Sequence, residues 1–290
     1  MTRRTFLGSS LAAAAAPQPG SLTKFQIACM TLPYSGVPFE RALKGIASAG
    51  YKYVAWGTTH QRKPILAVDA PVSEAKDVAA RTRDTGLDIV MMFASVSADA
   101  ADSVQGHTRR IEQAAAARIP FVLTFGQTKP GGFKAMVDAL KQIGPVARAN
   151  GVTVLLKQHG GDGATGQACA KILDAVGDTG IRMGYDAGNV LDYNNDDPIA
   201  DIQACWQHVR GFAIKDHRNT PKDQDCGPGL GEIDHYKLLM PVARMGVSMP
   251  LACENIFEPV LPRPDSPEGI DALARRAREF LETVTRGVQM

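Results

Sequence analysis

The sequence predicts a single (β/α)8 barrel. Three observations predict it. Short apolar runs alternate with longer amphipathic segments, and the alternation repeats eight times. No linker or shift of composition divides the chain. No glycine-rich dinucleotide fingerprint follows the first strand, where an open nucleotide-binding sheet places one. Uninterrupted apolar strands separated by helices describe a parallel sheet covered by helices. Eight such units in about 270 residues suit a closed barrel better than an open sheet. With 290 residues, 44% of them hydrophobic, the chain can bury one large core.

Residues 1–16 stand apart from the fold. Arg3 and Arg4 form a twin-arginine pattern with Thr2, Thr5, Phe6 and Leu7. An alanine-rich apolar run follows, and Ala13, Ala15 and Pro17 resemble a cleavage region. The run is too short to remain as a bilayer anchor. The expectation is a twin-arginine signal peptide over 1–16, a barrel domain over 17–290, and export to the periplasm or the extracellular space. Removing 1–16 leaves 30 basic and 30 acidic residues.

The remaining elements follow in order. Residues 25–30 read as strand one and 38–49 as its helix, with Pro38 in the first turn and Gly50 as the stop. Residues 53–56 read as strand two and 73–85 as a helix with Ser73 as N-cap. Residues 88–93 are strand three and 98–117 its helix; 121–124 are strand four and 132–150 its helix. Residues 153–156 are strand five and 165–176 its helix; 182–185 are strand six, with 198–205 as the helical segment after it. Residues 209–214 are strand seven and 233–245 its helix; 250–253 are strand eight and 267–286 the last helix.

Charge is nearly balanced, 32 basic against 30 acidic residues, with no run of one sign. A nucleic-acid surface needs a concentrated basic face, so nucleic acid is not an expected partner. The five cysteines are widely spaced and include no C-x-x-C pair, which speaks against a zinc ribbon or redox motif. Cys29 and Cys253 sit in apolar runs and read as core filler.

In a barrel the C-terminal strand tips converge on one mouth. Those tips carry Trp56 and His60; Thr124 and Gln127; Lys157, Gln158 and His159; Tyr185, Asp186 and Asn189; Lys215, Asp216, His217 and Arg218; and Cys253, Glu254 and Asn255. Polar groups are densest on strands five to eight. Acids, lysines and histidines at one mouth make an acid–base and anion-handling site, or a structural ion-pair network of Lys157, Asp186 and Glu254 at the rim. The predicted catalytic set is Lys157, His159, Asp186, Lys215 and Glu254. The predicted substrate contacts are His60, Gln127, Asn189, His217 and Arg218, although a lone rim histidine such as His60 is more often a satisfied surface group. His107, His208 and His235 fall on helices and read as solvated.

These motifs resemble the xylose-isomerase-like family of sugar isomerases and epimerases. Strand seven reads Ala213-Ile214-Lys215-Asp216, the glycine segment Gly227-Pro228-Gly229-Leu230-Gly231-Glu232-Ile233-Asp234, and strand eight Leu251-Ala252-Cys253-Glu254. The resemblance implies a divalent metal held by Glu, Asp, His and Glu on strands five to eight, polarising a carbonyl while a base removes the neighbouring proton. Asp186 and Glu254 match two of these ligands. Lys157 stands in place of the first Glu, Ala213 in place of the His, and Asn189 in place of a second histidine on strand six. The expectation is that the Lys157 ammonium takes the electrostatic place of the metal between Asp186 and Glu254.

The leading function is then an enzyme acting on a carbohydrate or polyol by proton transfer next to a carbonyl. Two alternatives stand beside it. One is a Schiff-base lyase or aldolase using Lys157 or Lys215; the other is a non-catalytic carbohydrate-binding barrel. The DNA-repair endonucleases that share this barrel need several metals and a basic face. Related barrels often pair, so the resemblance allows for a homodimer.

Overall fold

A computed structural model of the protein describes residues 20–290. The signal reading of residues 1–16 lies outside them. Eight parallel strands close a barrel: β1 (Lys24–Met30), β2 (Tyr53–Trp56), β3 (Asp88–Phe93), β4 (Phe121–Thr124), β5 (Thr153–Lys157), β6 (Ile181–Tyr185), β7 (Val209–Ile214) and β8 (Ser248–Cys253). Each strand pairs with its sequence neighbours, and β8 closes on β1, with Cys29 in register with Cys253. All five cysteines are buried and free, as core filler would be.

The interior is filled by Ala28, Met30, Ala55, Met91, Phe93, Leu123, Leu155, Ala213 and Ala252. Side chains alternate across a strand, so every second residue faces inward. Small residues on β6 and β7 make room for large ones opposite. A Cβ at Gly184 would lie 2.7 Å from Leu123, and one at Gly211 would lie 2.8 Å from Leu155.

Helices cover the outside: α1 (Phe39–Ser48), α2 (Val72–Arg83), α3 (Ser103–Ala117), α4 (Phe133–Ala149), α5 (Gly166–Val176), α6 (Ala187–Asn194), α7 (Pro198–Cys205), α8 (His235–Leu239) and α9 (Pro267–Gln289). Helix α1 buries Phe39, Ala42, Leu43 and Ile46, one stripe at i, i+3, i+4 and i+7. Burying its large apolar side chains is worth about 1.5–3 kcal/mol each.

Four expectations need correction. Ser73 is not an N-cap: α2 begins at Val72, after the extended Pro71. The helix expected over 98–117 starts only at Ser103. The helix expected over 233–245 is α8 followed by a 3-10 turn at Met240–Val242; Pro241 has no N–H with which to continue the ladder. His107 and His235 are buried rather than solvated. His107 bridges Ser103 and Thr124, and the His235 Nδ1 bonds the Ile233 carbonyl. The helical pattern also hid α6, which starts immediately after β6, and two small hairpins at Thr59–Pro64 and Asp216–Cys226.

Candidate functional site

The alternation that fills the barrel also builds its mouth. Leu155, Gly184, Ala213 and Ala252 line the interior, and two residues further along the chain stand Lys157, Asp186, Lys215 and Glu254. Strand parity therefore aims all four side chains at one place. Lys157 is 2% exposed and Asp186 fully buried. The Lys157 Nζ lies 2.9 Å from Asp186 Oδ2 and donates a hydrogen bond to Glu254 Oε2 at 2.5 Å. The Lys215 Nζ lies 3.9 Å from the same Asp186 oxygen and donates to Asp225 Oδ2 at 2.7 Å.

Asp186 divides its two oxygens between two tasks. Oδ1 accepts the backbone N–H of Asn189 at 3.0 Å and so caps α6. Oδ2 faces the two ammonium groups. The Asn189 side chain donates to the Gln158 carbonyl, and the Gln158 side chain accepts the Asp186 N–H. Asn189 thus holds the Asp186 loop in place, and its amide is spent on backbone.

Burial alone would lower both lysine ammoniums, but the carboxylates outweigh it. Asp186 and Glu254 hold Lys157 above its ordinary value. Asp186, Glu254 and Asp225 raise Lys215. Burial would raise the Asp186 carboxyl, and Lys157 and Lys215 bring it below its ordinary value. Lys157, Lys215 and Asp186 are therefore held charged at neutral pH, and each charge compensates its neighbour's desolvation. His159 behaves otherwise. Burial, helped by the Lys157 charge, pushes it down to about 4. Its ring stacks on Phe125 with centroids 4.1 Å apart and meets the Tyr193 hydroxyl at 3.5 Å. It is a neutral imidazole beside the Lys157 ammonium.

The remaining predicted residues divide. His217 joins the cluster: its Nδ1 lies 3.0 Å from Asp225 Oδ1. His60 is buried on the Thr59–Pro64 hairpin, bonded to the Val37 carbonyl and set edge-on to Phe39. Arg218 donates to the Thr220 carbonyl. Gln127 is exposed, and its backbone N–H reaches Asp99. None of these three bonds to the lysine–carboxylate cluster. A surface cavity of about 490 Å³, lined by Asn195, Asn219 and Glu232, shares no residue with that cluster either.

Asp225 escaped the sequence reading. It joins Lys215 to His217 and lies two residues before the glycine segment. Asp216 explains that segment. Its buried carboxylate accepts the N–H groups of His217, Gly229 and Ile233 at 2.9, 3.0 and 3.1 Å. A Cβ at Gly231 would lie 2.3 Å from that carboxylate, so the chain can close on it only as glycine.

A divalent metal does not fit the four strand tips as this chain builds them. Ala213 is packed inside the barrel at 1% exposure and offers no donor. The two remaining carboxylates already hold an ammonium between them. A metal at that point would have two oxygen ligands and a cation in contact with it.

The model of the xylose isomerase-like TIM barrel family matches residues 43–282. No curated protein matches the sequence. Among solved structures, the chain is similar to a xylose isomerase-like TIM barrel protein from Mycobacterium smegmatis in complex with magnesium, at 14% identity and a TM-score of 0.74, covering 91% of this chain and 98% of that one. It is similar to L-ribulose 3-epimerase at 16% identity and a TM-score of 0.69, covering 95% and 96%. It is similar to a D-tagatose 3-epimerase-like protein at 14% identity and a TM-score of 0.68, covering 91% and 98%. At such identities these structures share a fold with this chain.

Proposed function

The chain belongs to the xylose isomerase-like TIM barrel family, and from that premise we propose that it is a sugar isomerase- or epimerase-like enzyme whose central cation is the ammonium of Lys157. The observation that carries the proposal is the position of the Lys157 Nζ, between Asp186 and Glu254 at the barrel mouth. The substrate class is a carbohydrate or polyol bearing a carbonyl, as the names of the epimerase neighbours suggest.

The reaction is proton transfer next to that carbonyl. A base takes the proton from the adjacent carbon, the electron pair moves onto the carbonyl oxygen, and a fixed ammonium stabilises the charge that develops. Glu254 suits the base better than Asp186 does. Its side chain is 18% exposed, whereas Asp186 is fully enclosed and spends one oxygen on a helix cap. Lys157 and Lys215 face the developing oxyanion. His159, neutral at neutral pH, positions a hydroxyl or relays a proton.

Both lysines are held protonated, which weighs against Schiff-base chemistry, since that requires a free amine. Borohydride trapping with a carbonyl substrate distinguishes the two. The direct test of the leading reading is incubation with a panel of aldoses and ketoses in D2O. Deuterium should enter at the carbon next to the carbonyl. Sugar binding without any exchange across the panel would favour a binding barrel, and a tightly held divalent ion liganded by Asp186 and Glu254 would overturn the ammonium assignment. Export through residues 1–16 and pairing into a homodimer belong to the same proposal.

A further inference from the structure

Beside the lysine centre, three segments bring a second set of donors together. Asp192 comes from α6, His217 from the first strand of the Asp216–Cys226 hairpin, and Asp223 from the turn of that hairpin. One ligand atom from each lies within 4.8 Å of the others. Acidic side chains at a surface are common, and two of these three residues are exposed. The third separates this cluster from an ordinary acidic patch.

His217 is 1% exposed, and its Nε2 is buried without a hydrogen-bond partner. That atom points at Asp223, with Oδ1 at 3.2 Å, but lacks hydrogen-bond geometry to it. The other ring nitrogen is committed, since the Nδ1 lies 3.0 Å from Asp225 Oδ1. A carboxylate that accepts the Nδ1 proton fixes the tautomer and leaves the Nε2 lone pair facing outward. Metal-ligating histidines are oriented by this same arrangement. In the neutral ring two electron-rich atoms, an imidazole lone pair and a carboxylate oxygen, then face each other unless a proton or a metal cation lies between them. Their separation is close to the ~3.4 Å edge of a tetrahedron with bonds of about 2.1 Å.

Charge points the same way. The mouth holds the ammoniums of Lys157 and Lys215 against the carboxylates of Asp186, Glu254, Asp225, Asp192 and Asp223. In this set two ammoniums stand against five carboxylates; Arg218 and Lys222 also lie on the hairpin, and the nearest ionisable partner of Asp223 is His217.

We propose that Asp192, His217 and Asp223 bind one divalent transition-metal ion, with Asp225 as the carboxylate that orients His217. One nitrogen and two carboxylate oxygens suit Zn2+ or Mn2+ better than Mg2+ or Ca2+. Three protein ligands leave a coordination position for water or for a ligand hydroxyl. The exposed side chains of Asp192 and Asp223 give the ion a path from solvent. Asp225 touches both centres, since it also accepts a hydrogen bond from Lys215. The site does not depend on the assignment of the central cation to Lys157.

The test is titration of the metal-stripped full chain with Mn2+ and with Zn2+, followed by calorimetry and by electron paramagnetic resonance of the manganese. One ion per chain is expected. Asp192→Asn and Asp223→Asn change exposed groups, so the fold is kept, and each should weaken binding by at least tenfold. His217→Gln should abolish it. Asp225→Asn should weaken it by roughly 10- to 100-fold through loss of orientation. Asp186→Asn and Glu254→Gln should leave the stoichiometry at one. Absence of binding, or affinity unchanged in both Asp192→Asn and Asp223→Asn, would overturn the proposal. An ion lost in Asp186→Asn but retained in Asp223→Asn would overturn it too, and would place the metal at the strand tips, against the Lys157 assignment.

Discussion

Replacing Lys157 with methionine keeps an apolar stem and deletes the charge. The buried Asp186 and the partly exposed Glu254 are then left facing each other, and breaking a buried pair in this way costs about 3–5 kcal/mol. Urea unfolding of K157M at pH 7 should show a loss of that size. Adding Asp186→Asn should recover part of it, because a like-charge conflict has been removed. If the site catalyses proton transfer, K157M should also lower kcat by roughly 10²–10³-fold, the usual effect of removing an oxyanion donor. His159 gives a prediction of a different kind. Its pKa is lowered to about 4 by burial and by Lys157, against an unfolded value near 6.5. Between those two values the unfolded chain binds more protons, so His159 makes the fold less stable as pH falls through this window and contributes nothing above it. An NMR titration of the ring should show it neutral down to about pH 5, and His159→Gln should flatten the acid limb of the stability curve. A ring titrating near 6.5 would mean that it stands free of Phe125 and Lys157.

The element that shapes the site is α6. Its first turn holds Gly188, where a Cβ would lie 2.6 Å from Lys215 Cγ and 2.8 Å from Cε. Gly188→Ala therefore displaces the Lys215 side chain. Overpacking of this kind typically costs 1–3 kcal/mol, and roughly a tenfold loss of any turnover should accompany it while the helix persists by circular dichroism. Helix α5 is held from outside itself. The Asp201 carboxylate, on α7, accepts the N–H groups of Gly166 and Gln167 at 2.7 and 3.1 Å and the Tyr185 hydroxyl at 2.8 Å. The Tyr185 hydroxyl also reaches the Pro198 carbonyl at 2.9 Å, so Asp201→Ala strands chiefly the buried Gly166 N–H and should lower stability by about 1–3 kcal/mol. Asp234→Ala, which removes the N-cap of α8, should cost only about 1 kcal/mol, because that helix end is exposed.

At the scale of the whole molecule, no helix among the described residues is long and apolar enough to cross a membrane. The export reading rests on Arg3 and Arg4, so R3K/R4K should hold the protein in the cytoplasm when cell fractions are compared. Equal accumulation of both forms outside the cytoplasm would count against that reading. The two charge centres at the mouth are joined through Asp225. Loss of that carboxylate should therefore reach the Lys215 side and the His217 side together, whereas Asp223→Asn should reach only the latter.

The sequence by itself determined the barrel, because parallel strands buried on both faces must be apolar throughout and the covering helices must be amphipathic. Seven of the eight strands fall within one residue of where the apolar runs place them, and the eighth differs by an added pair at its start, Ser248 and Met249. The sequence also determined which residues converge, since parity along a strand fixes the side that Lys157, Asp186, Lys215 and Glu254 face. It could not determine what those residues meet. The place of Lys157 between Asp186 and Glu254 was expected from the resemblance, but that Asn189 is spent on backbone, and that Arg218, Gln127 and His60 make no bond to the cluster, depend on contacts between distant strands and loops. Asp192, Asp223 and Asp225 carry no pattern of their own in the chain. Only the hairpin after β7, folded against α6, brings their charges together with His217.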